Sequence, residues 1–96
     1  GQRGIWSQNE VFGFWKVRIE AGAYDFKFKF NNLENSLGEM TLELGNNVYS
    51  TKVNIDKNGF VLMKDVEISG GDYDLIPFFR FNRKNIFPFL VEVKKL

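Results

Sequence analysis

The stretch Tyr24-Asp25-Phe26-Lys27-Phe28-Lys29-Phe30 decides the fold class of this 96-residue chain. Its four aromatic residues alternate with three charged ones, which is the two-residue period of a β-strand. A helix would scatter the four rings around its circumference, whereas a strand places them all on one face and the charges on the other. The pattern therefore predicts a half-buried strand whose aromatic face belongs to a hydrophobic core.

Further strands are predicted on both sides of this segment, with turn residues between them. They lie at residues 12–19, 39–44, 48–55, 60–68, 72–81 and 86–93. Glu20-Ala21-Gly22, Gly45-Asn46-Asn47, Asp56-Lys57-Asn58-Gly59 and Ser69-Gly70-Gly71 supply the turns, since glycine and asparagine tolerate positive φ. Residues 82–85 are predicted to form a loop. No segment shows a helical period.

Two local features of the later strands lead to specific expectations. The alternation in 60–68 breaks near Lys64 and Asp65, which indicates a β-bulge. Pro77 lies inside a predicted strand and is expected at an edge or an irregularity, because proline cannot donate to a strand ladder. In the last strand, one face is predicted to carry Phe87, Phe89, Val91 and Val93.

About seven to eight short strands with regular turns predict an all-β fold, either a single antiparallel β-sandwich or a barrel. A sandwich is favoured because most of the strands have one polar face. Residues 12–96 form the sandwich domain in this interpretation. Residues 1–11 are the least regular part, read either as a leader or linker or as a short first strand. The chain is long enough for one domain only.

Composition excludes several function classes. Apolar residues make up 44% of the chain and aromatic residues 17%, too many for a disordered segment. Thirteen basic and 12 acidic residues give a formal charge of +1, without the basic footprint of a nucleic-acid-binding protein. No apolar run approaches the ~20 residues of a membrane span. The first residue is not methionine, and we therefore expect a piece of a longer protein.

The chain contains no histidine and no cysteine, which removes the usual zinc sites and the Ser-His-Asp and Cys-His nucleophile systems. Carboxylate pairs remain, Glu39 with Glu43 and Asp72 with Asp74, but alternating carboxylates are also the ordinary surface of a solvated strand. The turn at 56–59 offers oxygen ligands for a structural calcium ion, although it lacks EF-hand spacing. The sequence thus predicts no catalytic residue, no metal ligand and no cofactor, with calcium at that turn as the alternative.

Ligand binding is the remaining chemistry. Exposed aromatic rings stack on sugar rings, and the planar fork of arginine suits a carboxylate or a sulfate group. The candidate residues are Trp6, Trp15, Tyr49, Phe78, Arg80 and Arg83. For Trp15 the alternative is a place in the core. For the segment 78–85 the alternative is a buried strand that ends in a charged, solvated loop.

The order of these signals resembles a known family. The run from Gly13 to Phe26 is similar to a signature of jelly-roll carbohydrate-binding-type modules, a strand followed by acid-Ala-Gly-x-Tyr and a second strand. More specifically, it resembles the β-rich region that ends many bacterial arylsulfatase-like proteins. There a G-[FY]-W-x-V strand leads into A-G-x-Y-x-F, and a G-x-Y-x-L strand (here 71–75) precedes an F-x-V-x-V strand (here 89–93). The resemblance covers residues 6–96.

The resemblance implies an accessory domain of a secreted or periplasmic sulfatase-type hydrolase that acts on sulfated glycans or aryl sulfates. Its partner would be the catalytic domain of the same parent chain, and a glycan is the expected ligand. The Cys/Ser-x-Pro-x-Arg nucleophile motif and the acidic metal ligands of sulfatases are absent, so no catalytic residue carries over. Two alternatives stay open: an independent carbohydrate-binding module, and a protein-interaction sandwich of a surface protein.

Overall fold

A computed structural model describes residues 3–7 and 14–96, and the regular structure of these residues consists of nine β-strands. The strands are β1 (Arg3–Ser7), β2 (Trp15–Ile19), β3 (Gly22–Lys29), β4 (Leu37–Leu44), β5 (Asn47–Asn54), β6 (Phe60–Ile68), β7 (Gly71–Phe81), β8 (Lys84–Ile86) and β9 (Leu90–Lys95). They form two antiparallel sheets. Sheet A has the order β1-β9-β3-β6, and sheet B has the order β2-β7-β4-β5, with β8 paired to the end of β7. The predicted all-β sandwich is confirmed.

The strand pairing is nested. β1 pairs with β9, β2 with β7, β3 with β6 and β4 with β5, as if the chain were one long hairpin. Two further pairings, β3 with β9 and β4 with β7, roll that hairpin into the two sheets. This is the connectivity of a jelly roll, in which two Greek keys share one core.

The aromatic strand lies where its alternation predicts. β3 crosses the middle of sheet A, and Tyr24, Phe26, Phe28 and Phe30 are all buried against sheet B. The rings of Phe26 and Phe28 stack with their centroids 5.9 Å apart. Burying a phenylalanine side chain stabilises a fold by about 1.5–3 kcal/mol. These rings are therefore the centre of a core that β4 completes from the other sheet with Met40, Leu42 and Leu44.

The predicted bulge is present in β6. Tyr24 of β3 pairs with Val66, but Phe26 pairs with Met63, so two residues of β6 oppose one residue of β3. Asp65 has a φ of 56°, and its backbone N–H donates a hydrogen bond of 2.9 Å to Oδ1 of Asp25. The bulge therefore ends the regular alternation of β6 and gives the unpaired residue a side-chain partner.

Pro77 lies in a gap in the pairing of β7. It stands opposite Leu42 of β4 on one side. On the other side, β2 pairs as far as Leu75 and β8 begins pairing at Phe79. Among the described strands no partner therefore flanks Pro77 on that side, so the irregularity predicted for this proline is a gap between two short neighbours.

The prediction of one strand over residues 86–93 is wrong. The chain leaves sheet B after Ile86 and enters sheet A at Leu90, with the buried Pro88 between them. Because proline fixes φ and has no N–H, the ladder does not continue through it. Val91 and Val93 are buried as predicted, but Phe87 is 42% and Phe89 36% exposed. The first two side chains of the predicted face therefore lie at the surface.

The predicted loop 82–85 is shorter than expected. Only Asn82 and Arg83 connect β7 to β8, with φ values of 51° and 64°. Two consecutive positive φ values are typical of a type I′ hairpin turn. Lys84 and Asn85 therefore belong to β8, and the hairpin adds a short strand that the nested pairing does not require.

One glycine marks a close approach between strands. A Cβ atom on Gly38 would lie 2.5 Å from the carbonyl oxygen of Arg80 and 2.5 Å from Cζ of Phe79. Both distances are far inside van der Waals contact, and Phe79 is fully buried. The absence of a side chain at Gly38 therefore lets β4 and β7 pack around the Phe79 ring.

Candidate functional site

The six predicted ligand-binding residues do not form one site. Phe78 and Arg80 lie on β7 and Arg83 in the turn that follows it, so the β7–β8 hairpin carries three of them. The other three lie elsewhere: Trp6 in β1 opposite Val91, Trp15 at the start of β2 opposite Leu75, and Tyr49 in β5. The side chain of Trp6, and the residues 12 and 13 with which the second strand was predicted to begin, lie outside the described part of the structure.

Trp15 and Tyr49 have structural surroundings. Trp15 is half-buried and packs against the core, and its Nε1 atom is buried without a hydrogen-bond partner among the described residues. Tyr49 is also half-buried, and its hydroxyl donates a hydrogen bond of 2.8 Å to the carbonyl oxygen of Glu67. Because Glu67 belongs to β6, this bond ties the edge of sheet B to the edge of sheet A.

The other two tyrosines fix connections between the sheets. Tyr24 donates to the carbonyl of Glu20 at 2.6 Å, and Tyr73 donates to the carbonyl of Ser69 at 2.7 Å. Each is the third residue of a strand that the chain enters from the opposite sheet, and each acceptor lies four residues earlier. This is the geometry of a tyrosine corner. The A-G-x-Y and G-x-Y-x-L motifs therefore have the same structural role, one at each crossing.

An aromatic and basic surface patch lies on the outer face of sheet B. We define the hairpin patch as Phe78, Arg80, Asn85 and Phe87. The Phe78 and Phe87 rings meet edge to face with centroids 6.4 Å apart. Beside them, Nη1 of Arg80 donates a hydrogen bond of 2.8 Å to Oδ1 of Asn85. A guanidinium carries five N–H donors, so this bond holds the group in place and uses only one of them.

The patch continues across sheet B in two rows. Thr41 of β4 pairs with Phe78, and its hydroxyl lies 2.9 Å from that of Ser50 on β5. In the next row, Arg80 pairs with Glu39 and Glu39 pairs with Lys52, so the charges alternate across the strands. Thr41 is buried, so the exposed polar groups beside the two rings are the fixed guanidinium, the Asn85 amide and the Ser50 hydroxyl. Such a face suits a ligand with both apolar faces and oxygen acceptors, as a sugar has.

Sequence reasoning found half of this patch. It named Phe78 and Arg80 but missed Asn85, which it placed in a loop, and Phe87, which it placed on the same strand face as Val91 and Val93. Pro88 was the available signal, because a proline that interrupts a strand frees the preceding residue from the regular alternation. Nothing comparable marked Asn85, since the turn Asn82-Arg83 has no glycine.

Two exposed carboxylates form ion pairs that lower the pKa of the carboxyl group. Asp72 forms an ion pair of 2.8 Å with Arg18, and this hydrogen-bonded partner lowers the pKa of the Asp72 carboxyl. Lys95 pairs with Glu20 at 2.8 Å and lowers the pKa of Glu20 in the same way. A general acid needs a raised pKa, so Asp72 is unsuited to the acid half of a glycosidase pair.

In the turn at 56–59, which was the candidate calcium site, the Asp56 carboxylate binds backbone N–H groups in and directly after the turn. Oδ1 of Asp56 accepts hydrogen bonds from the backbone N–H groups of Asn58 at 2.8 Å and of Phe60 at 2.9 Å. The bond from Phe60 is the main reason why the pKa of Asp56 is lowered. This is an Asx turn, which stabilises the crossing from β5 to β6. Among the described residues, no group of three or more acidic side chains is placed to hold a metal ion.

A groove of about 600 Å³ opens between the two edge strands β5 and β6. Tyr49 and Val53 line it from sheet B, and Leu62 and Val66 from sheet A. β5 pairs only with β4 among the described strands, so the outer side of its eight residues is unpaired. It contains no proline, and Lys52 is its one charged residue. β5 therefore lacks most of the devices that protect a sheet edge.

Comparisons with protein-family models, with curated proteins and with solved structures give no match. Within residues 3–7 and 14–96 there is no helix of the length and apolarity required to cross a membrane.

Proposed function

We propose that this chain is a non-catalytic accessory domain that engages a glycan on behalf of a sulfatase-type hydrolase, in a secreted or periplasmic parent protein. The hairpin patch is the observation that carries the proposal. The paired rings of Phe78 and Phe87 provide an apolar surface, since the Phe87 side chain is 42% exposed. The adjacent Arg80 guanidinium is fixed by its hydrogen bond to Asn85 and can bind a carboxylate or a sulfate.

The conformation of Arg83 supports a binding role for the same hairpin. Its φ of 64° is in the left-handed region, where a glycine or asparagine is favoured and other residues cost about 1 kcal/mol. Arg83 is exposed, and among the described residues no hydrogen bond or ion pair offsets that cost. Backbone strain at an exposed basic residue is a reason to look for a functional role.

The resemblance to the final region of arylsulfatase-like proteins is the reason for proposing a sulfatase-type parent. The tyrosine corners show that two of its motifs have a structural purpose, which any sandwich with such crossings would share. The individual motifs are therefore no evidence for a sulfatase-type parent, and only their order along the whole chain supports that proposal. The chain has no histidine and no cysteine, and the proposal accordingly places the chemistry in the parent's catalytic domain.

Binding of oligosaccharides to the domain tests this function. We would screen neutral, carboxylated and sulfated oligosaccharides by calorimetry and compare Arg80→Gln and Phe87→Ala with the wild type. Lys16→Gln and Leu96→Ala are matched controls, because they remove a charge and an exposed apolar side chain outside the patch. We expect both patch variants to lose at least about tenfold in affinity and both controls to bind normally. The absence of binding to every glycan at millimolar concentration would refute the proposal.

The edge strand β5 favours a second candidate function, docking onto a protein. β5 pairs with β4 on one side, but among the described strands its eight residues have no partner on the outer side, which lies beside an apolar groove. Such an edge is suited to strand addition by an extended polypeptide. The expected partner is the parent's own catalytic domain, whose binding would then protect the β5 amides from hydrogen exchange. Exchange rates at β5 that do not change in the full parent chain would exclude this docking mode.

A further inference from the structure

The outer face of sheet A carries a pair of lysines over one aromatic ring. Lys27 and Lys29 alternate with the buried rings of β3, so both point away from the core. Their Nζ atoms lie 4.1 Å and 5.0 Å from the centroid of the Phe60 ring. Nζ of Lys29 also lies 5.9 Å from the ring of Phe89. The two ammonium groups therefore converge on one place and do not spread into solvent.

The positive charge on this face is local to the lysine pair. In the described strands of sheet A, the exposed or outward charged residues are four lysines and four acids; these are Lys27, Lys29, Lys64, Lys94, Asp25, Asp65, Glu67 and Glu92. Neither Lys27 nor Lys29 forms an ion pair with a described carboxylate. Glu92 of β9 stands opposite Lys27 in the strand register, and Lys27 also helps to lower the pKa of Asp56, but the Asp56 carboxylate already accepts two backbone hydrogen bonds.

We propose that Lys27 and Lys29 form an anion subsite that takes a sulfate or carboxylate group of an acidic glycan, with the rings of Phe60 and Phe89 as its apolar floor. The rings hold the ammonium groups by cation–π attraction and leave their N–H donors free for an oxyanion. Two like charges brought together repel each other, and a bound anion relieves that repulsion. The subsite lies on the opposite face of the sandwich from the hairpin patch.

This inference rests on the proposed function, since it names the class of glycan, and the two are separable by experiment. We would titrate the whole domain with a heparin-derived hexasaccharide, with oligogalacturonate and with a neutral gluco-oligosaccharide. The wild type is compared with Lys27→Gln/Lys29→Gln. The matched control is Lys16→Gln/Arg18→Gln, which removes the same charge from two exposed positions of β2 in sheet B, outside the hairpin patch and its two rows.

We expect the sheet A variant to bind the anionic probe about tenfold more weakly, with the control near the wild type and neutral binding unchanged. A stronger loss with the sulfated than with the carboxylated probe would assign the subsite to sulfate, and the reverse to carboxylate. Equal losses in both double variants would show that only net charge matters and would overturn the subsite. So would a wild type that binds no anionic probe. If glycan affinity depends on Arg80 and not on the two lysines, the proposed function stands and this inference fails. If it depends on the two lysines and not on Arg80, the hairpin patch is not the binding site.

Discussion

Removing the hydroxyl group of Tyr24 should destabilise the fold more than the same change at either other tyrosine. Tyr24 is only 7% exposed, and its bond of 2.6 Å to Glu20 is partly buried. Tyr24→Phe leaves a partly buried carbonyl unsatisfied, which costs about 1–3 kcal/mol, whereas the net loss of an ordinary hydrogen bond costs about 0.5–1.5 kcal/mol. We therefore expect a loss of about 1.5–2 kcal/mol. For Tyr49→Phe and Tyr73→Phe we expect about 0.5–1 kcal/mol, because water can reach their exposed acceptors.

Urea denaturation followed by tryptophan fluorescence measures these differences. With a slope of about 1.5 kcal/mol/M, the midpoint of Tyr24→Phe should fall by about 1 M, and the slope itself should not change. The double variant Tyr24→Phe/Tyr73→Phe should lose the sum of the single effects, since the two bonds fix different crossings. A midpoint for Tyr24→Phe within 0.2 M of the wild type, or a larger loss in Tyr49→Phe, would refute the assignment of these tyrosines as clamps between the sheets.

Three further changes test the turns and the close strand approach. Gly38→Ala should cost about 1–3 kcal/mol in the same denaturation assay, because the new methyl group meets backbone and a buried ring, whereas Gly71→Ala has ordinary contacts and should stay within about 0.5 kcal/mol. Asp56→Asn should reduce the loss of stability that the wild type shows below about pH 4. The lowered pKa of Asp56 means that the folded state favours the carboxylate, so protonation destabilises the wild type, whereas the amide oxygen of the variant still accepts both hydrogen bonds at any pH. The same dependence of stability on pH in both proteins would contradict this prediction. Arg83→Gly should raise stability by about 0.5–1 kcal/mol, because glycine adopts the left-handed φ without strain. A lower urea midpoint for this variant would show that the backbone of Arg83 is not strained.

The alternation of apolar and polar residues predicts most of the fold. The aromatic strand at 24–30, the bulge at Lys64 and Asp65 and the turn after Leu44 all follow from local periodicity, and each is confirmed. The hairpin β7–β8 did not follow, because its turn uses arginine where glycine is usual, and the period of two continued through Phe87 and Phe89 although the chain had left the sheet.

The candidate sites depend on pairings that are distant in sequence. Phe60 meets Lys27 and Lys29 only because β6 pairs with β3, and Phe87 meets Phe78 only because β8 folds back on β7. Composition contains neither fact. A tyrosine is similarly ambiguous from sequence alone: Tyr49 was a reasonable ligand-binding residue until its hydroxyl group was found on the carbonyl of Glu67.

The departures from the simplest jelly roll indicate where function should be sought. Eight strands complete the nested pairing, and the tyrosines, the bulge and Gly38 all serve that arrangement. β8 is the addition, and it comes with a turn strained at Arg83 and with two phenylalanines exposed on either side of a buried Pro88. Ile86 packs against the core and Pro88 is buried, but the positive φ of Arg83 and the exposed rings of Phe87 and Phe89 contribute nothing to that packing. Because Phe87 lies against the patch on sheet B and Phe89 beside Lys29 on sheet A, this one connection places an exposed aromatic residue at each proposed binding surface. In a binding module, we therefore expect ligand binding at both surfaces to depend on residues 82–89. In a sandwich whose surface charges are incidental, we expect no such dependence.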